Sequence, residues 1–200
     1  MQVPTKIHYP RAGQNLPPDD ADYLSGEGNL AGAFDTRTQI TWGYGVPMRN
    51  EDLRWFKLLL LDDEDLEKYL SDAPLAQLTK LRRAIQDSGK EVLDIITDYL
   101  RLLWEHALQG VASSMGKGTV EKVPFTVVVT VPAMWKGYVR SRMRTAVKNA
   151  GILDERAAGP TLFNFISEPE AAALATLTDL QSTCSIQVSH SFRGACGRTF

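Results

Sequence analysis

The run FTVVVTV, Phe125 to Val131, constrains the fold of this chain more than any other stretch. Its residues are β-branched or aromatic, with Phe125, Val127, Val129 and Val131 at one parity and Thr126, Val128 and Thr130, which also carry methyl groups, at the other. As a strand it therefore presents apolar side chains to both faces, the condition of an inner strand covered on both sides in an α/β sheet. Pro132 ends it. Val139, Met143, Ala146, Val147 and Ala150 then mark a helix that stops at Gly151, a natural left-handed cap. A second apolar run, Leu162 to Ile166, reads as another buried strand and leads into Ser167-Glu168-Pro169-Glu170. There Ser167 suits an N-cap, Pro169 an early helical position and Glu170 the third position of a capping box, before AAALATL continues the helix. The order strand, helix, strand, helix over Phe125 to Leu177 predicts two adjacent parallel strands joined by a right-handed crossover.

Upstream the pattern is different. The first fifty residues are rich in Gly, Pro, Asn and Asp, with short apolar stretches at Val3 to Tyr9 and Gln39 to Tyr44 as candidate strands. From Glu51 the composition turns acidic and leucine-rich, with Glu64 and Lys68 at helical i, i+4 spacing. Pro74 sits where a first turn tolerates it, and Leu75, Leu78, Leu81 and Ile85 repeat at helical spacing up to Gly89. Between Glu91 and Leu108 an amphipathic helix is expected, with Val92, Ile96, Tyr99, Leu103 and Ala107 on one stripe and Asp94, Asp98, Arg101 and Glu105 away from it. A Gly/Ser/Lys loop follows at Ser113 to Gly118, and the segment from Glu51 to Leu108 is expected to be mainly helical and a lobe of its own.

Size and charge narrow the function classes. Two hundred residues at 44% apolar content suit one compact domain or two small lobes. A formal net charge of -2 supplies no broad positive field, which speaks against nucleic acid and anionic lipid as partners. The N-terminus MQVPTKIHYP has no apolar signal core, and the aliphatic run Leu58 to Leu61 is far short of the ~20 residues that span a bilayer. A soluble protein without a membrane partner is expected. Cys184 and Cys196 are the only cysteines, so no disulfide framework is drawn and a reducing compartment, cytoplasm or nucleus, fits.

Four polar constellations invite chemistry, and each has a plainer reading. Gly110-VASSM-Gly116-Lys117-Gly118-Thr119 approaches a phosphate-binding loop, but its spacing is off and it follows a helix and precedes a strand, the reverse of the productive order. It reads as a flexible connector. His8, His106 and His190 are scattered, and no metal site is expected from them. The acidic run Asp62 to Glu67 lacks the glycine-turned geometry that gathers oxygen ligands, and reads as a solvated helix face. Arg140, Arg142, Arg144 and Lys148 alternate around one helix, which favours surface pairing with the acidic lobe over a polyanion.

Two blocks carry a family resemblance. VVVTVPAMW, Val127 to Trp135, followed by Arg140 and then Ala146 to Gly151, is similar to the segment of heat-shock protein 70 ATPase domains in which a strand ends in Val-Pro-Ala-aromatic-aromatic before an arginine-bearing helix. Ser167-Glu168-Pro169-Glu170 with Ala171-Ala172-Ala173-Leu174-Ala175 resembles that family's Asn-Glu-Pro-Thr-Ala-Ala-Ala-Leu-Ala block. The blocks stand in the family order and at nearly the family spacing, with Leu153 to Pro160 reading as an inserted loop. Trp42-Gly43-Tyr44-Gly45 and Arg54 to Leu60 look like the divergent, largely fungal branch, and the whole resemblance covers Val3 to Leu180.

That resemblance implies an α/β fold: a fragment of an actin-like ATPase (ribonuclease H-like) fold, mostly parallel sheet with flanking helices plus a helical lobe. It implies a lobe at 1–122 like the small outer subdomain and a βαβα core unit at 123–180, and leaves 181–200 as an atypical tail for which disorder is one reading. Glu168 would correspond to the cleft glutamate that helps position metal and water beside the γ-phosphate, and Lys57 to the lysine that stabilises the transferring phosphoryl group. Pro132 and Arg140 would correspond to the proline and arginine that relay nucleotide state between domains. The bland readings are a strand terminator for Pro132 and a cap residue for Glu168.

In the family two hairpins, acidic-Gly-Thr-Thr and Asp-x-Gly-Gly-Gly-Thr, wrap the phosphates with backbone amides. The sequence begins past the first, and at the place of the second it reads SHSFRGACGRTF, the mixture that a frame slip over glycine codons would leave. ATP and Mg are thus the implied cofactors, with weak or absent binding expected in this chain. Partners implied are co-chaperones or a complementing ATPase lobe. Two other readings stand beside the incomplete ATPase: a non-catalytic partner-binding module derived from it, and another actin-fold enzyme such as a sugar kinase.

Overall fold

The computed structural model describes residues 5–9, 34–35, 40–46 and 53–193, with the backbone alone at 34, 35, 117 and 182–193. The chain is mixed α/β and divides into two compact units, one formed by 1–125 and 136–161, the other by 126–135 and 162–200. The candidate connections over residues 10–33, the end segment 194–200 and Cys196 lie outside the described residues, as does the side chain of Cys184.

Among the described residues the first unit opens with four short antiparallel strands, β1 (Lys6–His8), β2 (Phe34–Asp35), β3 (Ile40–Trp42) and β4 (Leu53–Arg54), ordered β2-β3-β1-β4. Ile7 lies opposite both Trp42 and Leu53. All three are buried, so this edge-to-edge register turns one apolar row toward the helices. Two 3₁₀ turns, Gly43–Gly45 and Phe56–Leu60, leave the sheet, and the second leads into α1 (Asp63–Tyr69) and α2 (Asp72–Asp87). Leu78, Leu81 and Ile85 are the buried face of α2, at the spacing expected of an amphipathic helix.

The long helix α3 (Val92–Met115) begins with a reciprocal capping box between Glu91 and Asp94, which satisfies two of the free N–H groups at its start. It runs further than its stripe predicts. Ser113 and Ser114 return their hydroxyls to the carbonyls of Gln109 and Gly110, each at 2.9 Å, and the helix continues to Gly116, where φ reaches 91°. The connector expected at Ser113 to Gly118 is therefore mostly helix, broken at Gly116 and resumed as the single turn α4 (Lys117–Val120). The buried seam is Ile95, Ile96, Tyr99 and Leu102, whereas Ala107 is exposed. Tyr99 is the hub of this seam, edge-on to Trp42 at 6.1 Å and to Phe56 at 5.7 Å.

In the second unit β5 (Thr126–Val131) and β6 (Leu162–Ser167) pair in parallel, as the crossover pattern predicts, from Thr126 opposite Leu162 to Val131 opposite Ser167. Between them in sequence lies α5 (Gly137–Asn149), closed by Gly151 at φ 78° as its cap position demands. This helix belongs to the first unit. It packs against α3 and the Phe56–Leu60 turn and buries Val139, Met143, Ala146 and Val147.

One expectation about β5 fails. Its burial alternates instead of being complete, with Val131 fully buried but Val128 53% exposed, and across the pair Leu162 is 61% exposed. The exposed positions Thr126, Val128 and Thr130 share one face of the pleat, the one that carries both threonines, and Val127, Val129 and Val131 share the better covered face. Helix α6 follows, with its backbone helical from Glu168 to Arg193. Its side of the unit exposes Leu174, Leu177 and Leu180, each more than half open.

Candidate functional site

The parallel register decides where two of the sequence-predicted residues stand. Val131 and Ser167 are partners in adjacent strands, so the residues that follow them, Pro132 and Glu168, leave the same C-terminal edge of the sheet side by side. In α/β sheets this edge is where ligands bind, because the loops and helix N-termini that follow the strands converge there. The turn after Pro132 is closed by a hydrogen bond from the Trp135 N–H to the Pro132 carbonyl at 3.1 Å. Ser167 acts as the cap that its sequence suggests, its Oγ accepting from the Glu170 N–H at 3.3 Å. Glu168 and Glu170 are both exposed in the first turn of α6, where the positive end of the helix tolerates carboxylates.

Lys57 and Arg140 belong to the first unit. Lys57 is half-buried in the Phe56–Leu60 turn, which its neighbour Phe56 anchors by inserting, 1% exposed, against Tyr99. The turn is entered through Trp55, the one non-glycine residue with positive φ among those described, at φ 59° and 53% exposed. Arg140 lies on the open face of α5. Its neighbours Tyr138 and Arg142, two positions to either side, take the opposite face.

That opposite face holds a polar cluster that the sequence reading missed. The run Asp62 to Glu67 reads as a solvated helix face, yet Asp65 is only 4% exposed. Its Oδ1 accepts from Lys136 Nζ at 2.6 Å and its Oδ2 from the Tyr138 hydroxyl at 2.6 Å. The same Tyr138 oxygen accepts from the Asp62 N–H at 3.0 Å, and Arg142 reaches both the Leu60 carbonyl at 2.7 Å and Asp62 Oδ1 at 2.8 Å. The Arg142 guanidinium also lies 4.9 Å from the Tyr138 ring centre. Of Arg140, Arg142, Arg144 and Lys148, Arg142 makes the expected pairing with the acidic segment, through Asp62, while the cation on Asp65 is Lys136, which that expectation did not include.

The charges tune one another. The hydrogen bond from Lys136, and next that from Tyr138, hold the Asp65 carboxyl below the usual carboxylate range. Asp65 in turn raises Lys136, and partial burial, reinforced by Asp65, raises the Tyr138 hydroxyl. The signal for this cluster was the acidic residue facing inward on α1, which periodicity alone does not separate from its exposed neighbours Asp63, Glu64 and Glu67. A second carboxylate, Asp98, ties strand to helix by accepting from Tyr9 Oη at 2.8 Å, Lys90 Nζ at 2.9 Å and Arg101 at 2.9 Å.

Among the described residues no three His, Cys, Asp or Glu side chains gather as a metal site would, and no helix is long and apolar enough to cross a membrane. No family model, curated protein or solved structure matches this chain.

Proposed function

We propose that this chain is a part of the nucleotide-binding domain of a heat-shock protein 70-like chaperone, in the actin-like (ribonuclease H-like) fold, and that it does not hydrolyse ATP as an isolated chain. The observation that carries this reading is the placement of Pro132 and Glu168 at matching C-terminal ends of two adjacent parallel strands. The two sequence blocks that resemble the family thereby meet at the edge of a sheet where nucleotides are held in α/β folds. The open faces of Val128, Leu162 and the α6 leucines also support it, because a parallel sheet of the parent fold is covered on both faces by further elements.

The residues present do not by themselves favour a bare triphosphate. The first turn of α6, whose backbone N–H groups would attract phosphate, carries two exposed carboxylates, and these repel a triphosphate unless a cation stands between them. Lys57 and Glu168 can act only on a phosphate held in line by other groups. By the resemblance, Glu168 and Lys57 would each act on nucleotide only in a complete domain, and Pro132 and Arg140 would be relay positions that a complementing lobe or longer product would use.

A second reading is favoured by one observation. The exposed stripe Leu174, Leu177 and Leu180 suits a non-catalytic module that docks a partner, such as a co-chaperone. Calorimetric titration of the purified chain with Mg-ATP tests the first proposal. No saturable heat is expected up to millimolar nucleotide. Affinity at about micromolar Kd or tighter, lost on Glu168→Ala or Lys57→Ala, overturns the claim that the isolated chain does not hold nucleotide. Transcript sequence that encodes the two glycine-rich hairpins around this reading frame favours the ATPase parent over the module.

A further inference from the structure

The polar cluster around Asp65 joins segments more than 70 positions apart in the chain, and it does so through a continuous run of hydrogen bonds. At one end the Leu60 carbonyl, the last residue of the turn that carries Lys57, accepts from Arg142. At the other, Lys136 and Tyr138, at the start of α5, close on Asp65 in α1. Tyr138 is the shared member, since its single oxygen accepts from the Asp62 N–H and donates to Asp65. A network in which each group polarises the next and one buried carboxylate is the common acceptor loses its members together.

We propose that Asp65, Lys136 and Tyr138 form a latch that makes the Phe56–Tyr69 segment and helix α5 one cooperative unit, so that the Lys57 turn and the Arg140 helix move together or not at all. The three are positioning residues. The asymmetry of the pair makes the latch openable: Asp65 is buried at 5% side-chain exposure, whereas its partner Lys136 is 52% exposed and can be withdrawn into water without unpacking the core. Arg142, half-exposed, is the auxiliary tie. With the latch open, Asp65 is left as a buried charge without its cation, which drives the α1 end of the segment to loosen as well. Arg140, on the other face of α5, would then lose its fixed bearing on the Lys57 turn.

The importance of Lys57 and Arg140 for nucleotide rests on the function proposed above, but the latch does not, and its test uses no nucleotide. Backbone amide hydrogen exchange, read peptide by peptide on the full chain, compares wild type with Lys136→Met, Lys136→Arg, Asp65→Asn, Tyr138→Phe and the double variant Asp65→Asn/Lys136→Met. Expected is a roughly tenfold faster exchange in 56–69 and 137–149 together for Lys136→Met, with 72–87 unchanged within about twofold and near-complete recovery in Lys136→Arg. The double variant should exchange no faster than the worse single one, because the second substitution removes a partner already lost. Loosening of 137–149 alone, additive effects in the double variant, or equal loosening of every helix overturns the latch. Should Lys136→Met fail to fold, Tyr138→Phe gives the same reading, since it removes the shared oxygen while keeping the ring. Failure of this test leaves the nucleotide reading standing, and a positive Mg-ATP titration leaves the latch standing.

Discussion

Truncating Phe56 tests whether the turn that carries Lys57 is anchored as described. Phe56 is 1% exposed and meets Tyr99 edge-on at 5.7 Å. Removing its ring forfeits a transfer contribution of about 1.5–3 kcal/mol. A residual void of about 60 Å³ that the surroundings fail to fill adds about 1.4 kcal/mol at ~24 cal/mol per Å³. Phe56→Ala should thus destabilise the first unit by about 3–4.5 kcal/mol, a large part of a typical domain stability of about 5–15 kcal/mol. Urea unfolding followed by far-ultraviolet circular dichroism measures it. With a slope of about 2 kcal/mol per molar urea, the midpoint should fall by about 2 M. Met115→Ala, at a side chain 65% exposed, should change stability by less than about 0.5 kcal/mol and serves as the control. A Phe56→Ala effect no larger than that control would refute the claim that the Lys57 turn is held by core packing.

Further outcomes are equally definite. Asp65 titrates below its ordinary value of 3.8 in the folded chain, so it contributes stability that is present above that value and is lost as pH falls through the lower folded value. The melting-temperature gap between wild type and Asp65→Asn should therefore be flat from about pH 5 to about pH 8 and shrink below 3.8; a gap that widens on acidification sinks the assignment. Two glycines should respond with opposite signs. Gly151→Ala forces an L-residue to φ 78° with its Cβ 3.0 Å from Asp154 Oδ2, at a cost of about 1–2 kcal/mol, whereas Gly110→Ala inside α3, with open space around it, should stabilise by about 0.5–1 kcal/mol in thermal melts. Replacing Leu174, Leu177 and Leu180 together by lysine should reduce self-association in light scattering while lowering the melting temperature by no more than about 2 °C, because all three are more than half exposed.

Local sequence alone determined the elements whose physics is local. FTVVVTV is a strand because β-branched residues fit a pleat, Pro132 stops it because proline has no N–H to give the ladder, and Gly151 caps α5 because only glycine enters left-handed space freely. The parallel pairing of β5 with β6 followed from the strand–helix–strand order, and with it the neighbouring exits of Pro132 and Glu168. Periodicity also found α2 and most of α3. It stopped α3 too early because serine and glycine favour loops on average, whereas here the Ser113 and Ser114 hydroxyls are satisfied by the helix's own carbonyls.

Only the tertiary structure decided which polar residues matter. Asp65 is one acid in an acidic run, and nothing in its spacing distinguishes it from Glu64 or Glu67; it became buried because Lys136 and Tyr138, more than 70 positions away, arrive with an amine and a hydroxyl. Likewise β5 carries Val128 on the face it shares with Thr126 and Thr130, and whether another element covers that face sets what is buried, so Val128 stays 53% exposed. Burial is a property of partners distant in sequence, and a side-chain pattern records only the demand for them.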